Sequence, residues 1–182
     1  MAYTGAVATF RTLGSAATPQ TLFTLENTAG SAVTVRIRRL LVQLDATAVL
    51  TAVMPQVKTS RVSGALPSGG TTLTKGTFDS TQTSAANVVA RGATASDGGA
   101  ATAITATAGT VHWQQYTMRM HTVVGQVLAP DNNLLPTLIE NSGTFDFKLA
   151  AGEALMVQVV ASAGTSNPAT NHWFVNCVWD EI

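Results

Sequence analysis

Along most of this chain apolar and polar residues alternate at every step, the pattern of strands with one buried face. The clearest case is GTFDFKLAAGEALMVQVVAS, from Gly143 to Ser162. Phe145, Phe147 and Leu149 share one parity, and Leu155, Val157 and Val159 keep it beyond a break at Ala150-Ala151-Gly152-Glu153-Ala154. Matched parity across a short break predicts two strands joined at a turn. Gly152 supplies backbone freedom there, and Glu153, with no second carboxylate beside it, reads as the corner residue that keeps the bend wet.

The same reasoning places strands along the rest of the chain. Leu22–Glu26 is a short strand ending in the turn-rich run Asn27-Thr28-Ala29-Gly30-Ser31. Val33, Val35 and Ile37 then form one face, but Leu40, Val42 and Leu44 carry it onward with the phase slipped by one. Such a slip turns every later side chain over, so a bulge is expected near Arg38-Arg39. Val57, Thr59 and Arg61 continue in β style, Pro67-Ser68-Gly69-Gly70 breaks the chain, and Thr71 to Phe78 is again strand-like. From about residue 84 to 110 the chain dissolves into Ala, Thr, Gly and Ser, predicting a long loop with a weak strand inside. Trp113 and the set Tyr116, Met118 and Met120 lie on opposite parities, which predicts a second bulge. Ala129-Pro130-Asp131-Asn132-Asn133 is a turn.

The last strand is NHWFVNCVWDE. Trp173, Val175, Cys177 and Trp179 make one apolar face; His172, Phe174, Asn176, Val178 and Asp180 make the other. An antiparallel sheet open to water divides more cleanly than this. Either a loop or a partner chain is therefore expected over Phe174 and Val178, and these two with His172, Arg38 and Arg39 form the candidate interface. Eight or nine short strands without any βαβ alternation predict one all-β domain over residues 1–182, an antiparallel β-sandwich of jelly-roll type.

Composition sharpens the interface expectation. Charged residues make up only 11% of the chain, against about 25% in typical soluble domains. Alanine and threonine supply 28 residues each, while the only lysines are Lys58, Lys75 and Lys148. Free-standing β proteins usually guard edges and surface with charge, lysine especially. This surface is therefore either a Thr/Ser coat or one that neighbouring subunits cover. Ten basic residues balance ten acidic ones, so no net field draws the chain to nucleic acid or to an anionic membrane. The single cysteine, Cys177, forms no intrachain disulfide framework. No basic start leads into an apolar run at Met1-Ala2-Tyr3-Thr4-Gly5, and no stretch approaches the ~18 apolar residues of a membrane span. The expected place of synthesis and assembly is a cytosol.

Motifs for chemistry are sparse. His112, His121 and His172 lack the spacing of a preformed zinc site and read as strand histidines satisfied by neighbours. There is no Gly-x-Ser-x-Gly elbow for a serine nucleophile, and Thr72-Leu73-Thr74-Lys75-Gly76-Thr77 does not fit a phosphate loop. Glu26, Glu140, Glu153 and Glu181 fall at strand ends, where glutamates are usually solvated. Asp131-Asn132-Asn133 reads as an Asx turn before a calcium ligand set. No catalytic, cofactor-binding or metal residue is expected.

LAAGEALMVQV followed later by VNCVWDE resembles the closing strands of jelly-roll virion proteins of tailed bacteriophages. LFTLENTAGSAVTVRIRRLLVQLDA is similar to the opening half of such structural proteins, where an Asn-x-x-Gly-Ser turn precedes an Arg-rich strand. SGALPSGGTTLTKGTFDST is similar to their middle, a Gly-Gly-Thr turn leading to a Lys and then an Asp. The resemblance implies a virion component and transfers no functional residues. Two functions are expected on that footing. The first is a non-enzymatic capsid decoration protein, a homo-oligomer and specifically a trimer, bound to the major capsid protein or other virion proteins and assembled in the host cytoplasm. It would clamp capsomers by adding apolar contact at ~25 cal/mol per Å², multiplied by symmetry. The alternative is a tail or head-fibre module that binds a host glycan or receptor, with Trp113, Trp173 and Trp179 as stacking platforms. A hydrolase on the same scaffold is a distant third.

Overall fold

The computed structural model of the chain describes residues 3–12, 19–46, 56–92, 103–105, 109–118, 147–160 and 171–182. In chain order its strands begin with β1 (Tyr3–Thr12), β2 (Gln20–Asn27), β3 (Val35–Ala46) and β4 (Gln56–Ser63). Three two-residue strands follow, β5 (Ser68–Gly69), β6 (Thr71–Thr72) and β7 (Gly76–Thr77), and then β8 (Val88–Gly92). The remainder are β9 (Ile104–Thr105), β10 (Thr110–Met118), β11 (Lys148–Leu149), β12 (Glu153–Val160) and β13 (Asn171–Glu181). There is no helix among the described residues.

The strands form two sheets, and every pairing within them is antiparallel. One has five strands in the order β11-β3-β13-β1-β7; the other has eight, with the path β10-β4-β12-β2-β8-β6, β9 against β2 and β5 against β9. One apolar core lies between them. Val35, Ile37, Leu40, Val42, Trp173, Val175, Cys177 and Trp179 come from the first sheet, and Leu22, Phe23, Leu25, Val57, Leu155, Val157 and Val159 from the second. The chain is thus an all-β sandwich, held by the faces that alternation assigns inward.

The pairings are nested. β1 pairs with β13, β2 with β12, β3 with β11 and β4 with β10. Successive nested pairs alternate between the two sheets, and the contacts β3–β13 and β4–β12 join them side by side. The chain therefore folds as one long antiparallel hairpin wrapped across both layers.

Local expectations fare unevenly. The β3 bulge lies where the phase slip puts it: Val178 pairs with Arg39 and Trp179 with Ile37, so Arg38 is the extra residue. The second bulge lies at His112, between Val111 and Trp113, and the register from Trp113 to Met118 is regular. No slip therefore separates Trp113 from Tyr116. Thr71–Phe78 is not one strand but two fragments, β6 and β7, in different sheets. The expected loop holds two strands, β8 beside β2, with Val88 and Ala90 buried in the core, and the two-residue β9. The region from about 84 to 110 is thus in part sheet. β1, with few large apolar residues, escaped the pattern because it gains its place from pairing with β13 and β7. The expected strand ends at 143–146, the turn Ala129–Asn133 and His121 lie outside the described residues.

Two corners are settled by side chains. Gly152 has φ +82°, and Glu153 closes the β11–β12 turn, its N–H donating to Ala150 O (3.1 Å) while its Oε2 accepts from Ala150 N (2.8 Å). Asn27 is buried at the end of β2, where its Nδ2 donates to Val33 O (2.9 Å) and to Leu149 O (3.0 Å). It ties the turn after β2 to β11.

Candidate interaction face of the five-stranded sheet

Of the candidate interface residues, Arg38, Arg39, Phe174 and Val178 lie on the outward side of β3 and β13, because Val35, Ile37, Leu40 and Val42 of β3 and Trp173, Val175, Cys177 and Trp179 of β13 turn inward. The strand register arranges this side in rows. Lys148, Arg36, Asp180 and Thr4 stand opposite one another across β11, β3, β13 and β1. The next row runs Arg39, Val178, Ala6 and Gly76, reaching β7. Leu41, Asn176 and Ala8 follow, then Gln43, Phe174 and Phe10. His172 stands opposite Asp45 and Thr12 at the far end; its side chain lies outside the description.

The face mixes apolar and polar residues along its middle and is basic at one end. Phe174 is 39% exposed, and Val178 and Leu41 are half-buried. Arg38 and Arg39 are exposed. Asp180 is buried and draws two guanidinium groups to one oxygen: Arg36 Nη2 reaches Asp180 Oδ2 at 2.8 Å and Arg38 reaches it at 2.5 Å. Arg39, displaced by the bulge, carries its charge outward. Four of the ten basic residues, Arg36, Arg38, Arg39 and Lys148, thus share one end of one sheet face. Sequence reasoning found the two bulge arginines, and alternation along β3 puts Arg36 on the side of Arg38; Lys148 joins them only through cross-strand register.

Other polar groups serve the fold. Glu26 and Glu181, expected at solvated strand ends, are each 2% exposed. Thr24 Oγ1 donates to Glu26 Oε1 (2.9 Å), and Arg91 Nε donates to both carboxylate oxygens of Glu26 (3.1 and 3.3 Å). Glu181 Oε1 accepts from Ser84 Oγ (2.6 Å) and Trp179 Nε1 (3.1 Å), and its Oε2 accepts from Ala85 N (2.7 Å). Burial lowers the pKa of Lys75, which donates to Ala85 O (3.0 Å) and to Val88 O, and the Glu181 charge partly offsets that shift. These carboxylates are buried because a loop or neighbouring strand folds over the end of their own strand, which no local pattern reveals.

No family model matches the chain, and no curated protein or solved structure matches it either.

Among the described residues, one pair suggests chemistry. Ser63 Oγ lies 2.5 Å from His112 Nε2 on the exposed margin of β4 and β10. The contact satisfies His112 across strands, and among the described residues no carboxylate stands on its other ring nitrogen to orient it as a base. Among the described residues no three His, Cys, Asp or Glu side chains gather as a metal set. Trp173 and Trp179 are interior, and Trp113 is half-buried, edge-on to Phe147 with ring centroids 5.2 Å apart.

Proposed function

We propose that this chain is a non-enzymatic structural protein of a tailed-phage virion, a decoration protein that lies on the capsid and strengthens it by joining neighbouring capsomers. The nested pairing of strands over two sheets supports the jelly-roll reading, which would fit that class. The observation that carries the reading is the outward face of β3 and β13. A sheet side that leaves Phe174 exposed, with Val178 and Leu41 half-buried beside Asn176 and the bulge arginines, supports a contact with another protein surface. The low charge of the chain agrees, since a protein clothed by neighbours needs little ionic cover. The glycan-binding alternative has less support, because two of its three tryptophan platforms are inside the core.

The test is co-sedimentation of the purified protein with expanded capsids of the phage that encodes it, followed by gold-labelled antibody on whole virions. Saturable binding, capsids that withstand more heating with the protein than without it, and label on heads are the expected results. Label confined to tails would transfer the chain to the fibre reading. Absence from virions altogether would end both.

A further inference from the structure

The five-stranded sheet carries complementary features on its two flanks. On one flank is the basic bulge of β3, with Arg38 and Arg39 exposed beside half-buried Val178. On the other, β7 is the edge strand, and the chain leaving it presents Phe78, 73% exposed, followed by exposed Asp79. Phe78 has no apolar neighbour two residues away on either side, so nothing in its own segment draws it inward. The segment is held in a defined turn: Gln82 N donates to Asp79 O (3.1 Å), while Thr81 N and Thr81 Oγ1 donate to Asp79 Oδ1 at 2.9 and 2.7 Å. Those two bonds, the hydroxyl first, hold the Asp79 carboxyl below the usual carboxylate range, so it is anionic at neutral pH. An aromatic ring and an anion on a fixed turn make a projecting knob.

The two flanks are aligned. Gly76 of β7 stands in the same register row as Ala6, Val178 and Arg39. Three strand spacings of about 4.8 Å separate β3 from β7, so the knob and the bulge lie on opposite flanks of the sheet, too far apart to pair within one molecule. Between two molecules set edge to edge they can.

We propose that the Phe78–Asp79 turn of one copy docks on the Arg38–Arg39 bulge of the next, with Phe78 covering Val178 and the Asp79 carboxylate pairing with Arg39. This rests on the reading of the chain as a self-associating structural protein and says which surfaces associate. A second copy is the occupant because one chain of zero formal net charge carries both halves of the match, cations on one flank and an exposed anion with an exposed ring on the other. Such a contact is head-to-tail, and it closes into a ring where the rotation between copies divides a full turn.

The experiment measures the dissociation constant of self-association by analytical ultracentrifugation for the whole chain and four variants. Phe78→Ala removes the ring, and Asp79→Arg and Arg39→Asp each place like charges opposite one another; each is expected to weaken association by about tenfold or more. The double variant carrying both charge reversals restores the pairing with its sign exchanged, and it should associate more tightly than either single reversal, short of the original because the turn loses its two bonds to the Asp79 carboxylate. All three substituted side chains are exposed, so an unchanged melting temperature separates lost docking from lost folding. A chain that associates but ignores the charge reversals, or a double variant no tighter than the weaker single, overturns this interface and leaves capsid decoration standing. A wild-type chain that stays monomeric at 100 µM and above overturns the interface and the self-association together.

Discussion

Glu181 ends the last strand, where a glutamate is ordinarily in water, yet Ser84, Ala85 and Trp179 all donate to its carboxylate. Its work is to hold the loop after β7 against β13. Replacing it by glutamine keeps the shape but turns one acceptor into a donor facing donors. Glu181→Gln is therefore expected to cost about 1.5–3 kcal/mol, the range for hydrogen bonds to a charged group, measured by urea unfolding. Cys177 makes a prediction of opposite character. Burial in the core pushes its thiol pKa up, so the folded chain keeps a proton that the unfolded chain loses above about pH 8.5. Folding stability from this residue is complete below that pH and declines above it, by about 1.4 kcal/mol per pH unit. Lys75 works the other way, because its lowered pKa means the unfolded chain holds the extra proton just below about pH 10.4. The two separate in the difference between wild type and Cys177→Ala. That difference should shrink between pH 8 and pH 10 while the Lys75 contribution cancels, and a constant difference would contradict the assignment. The native thiol should also resist a thiol-specific reagent until the chain is unfolded.

At the scale of elements, β3 is the informative case. Removing Arg38 from Val35-Arg36-Ile37-Arg38-Arg39-Leu40 leaves strict alternation, with Ile37, Leu40 and Val42 all still inward. Deleting Leu41 instead throws Val42 and everything after it onto the wrong face. The Arg38 deletion is accordingly expected to fold, losing the bulge and the half-exposed pairing of Arg38 with buried Asp180, which keeps Arg36 as a partner, at a cost of about 1 kcal/mol. The Leu41 deletion is expected to lose the cooperative thermal transition. A pair of melting curves decides it. The bulge was legible beforehand because a phase slip between two strongly apolar runs has few explanations. The His112 bulge was placed too late, since the residues around it, Thr110 to Gln115, give apolar parity little to act on. β8 and β1 were dim for the same reason. Their small residues owe their burial or their pairing to β2 and β13, which lie far away in sequence.

Across the whole molecule, the nested pairings join residues near the two ends: Tyr3 stands opposite Glu181 and Thr12 opposite His172. Contacts of such long sequence separation must close large loops before any reward follows, so refolding should be slow for this size, in the range of milliseconds to seconds. A stopped-flow refolding trace finishing within microseconds would be incompatible with this pairing. The same topology decides which candidate residues meet. Phe174 and Val178 were marked by their own strand, as apolar side chains on a face that should have been polar, and Arg38 and Arg39 by the phase slip in theirs. Lys148 became their neighbour only when β11 paired with β3, and Phe78 was set at the opposite flank only by β7 joining β1. Alternation is a local property of covalent order, so the chain alone specified strands, inward faces and the position of a bulge. Sheet order and the company each outward side chain keeps depend on which distant strands share hydrogen bonds, and that is a matter of the packed three-dimensional arrangement.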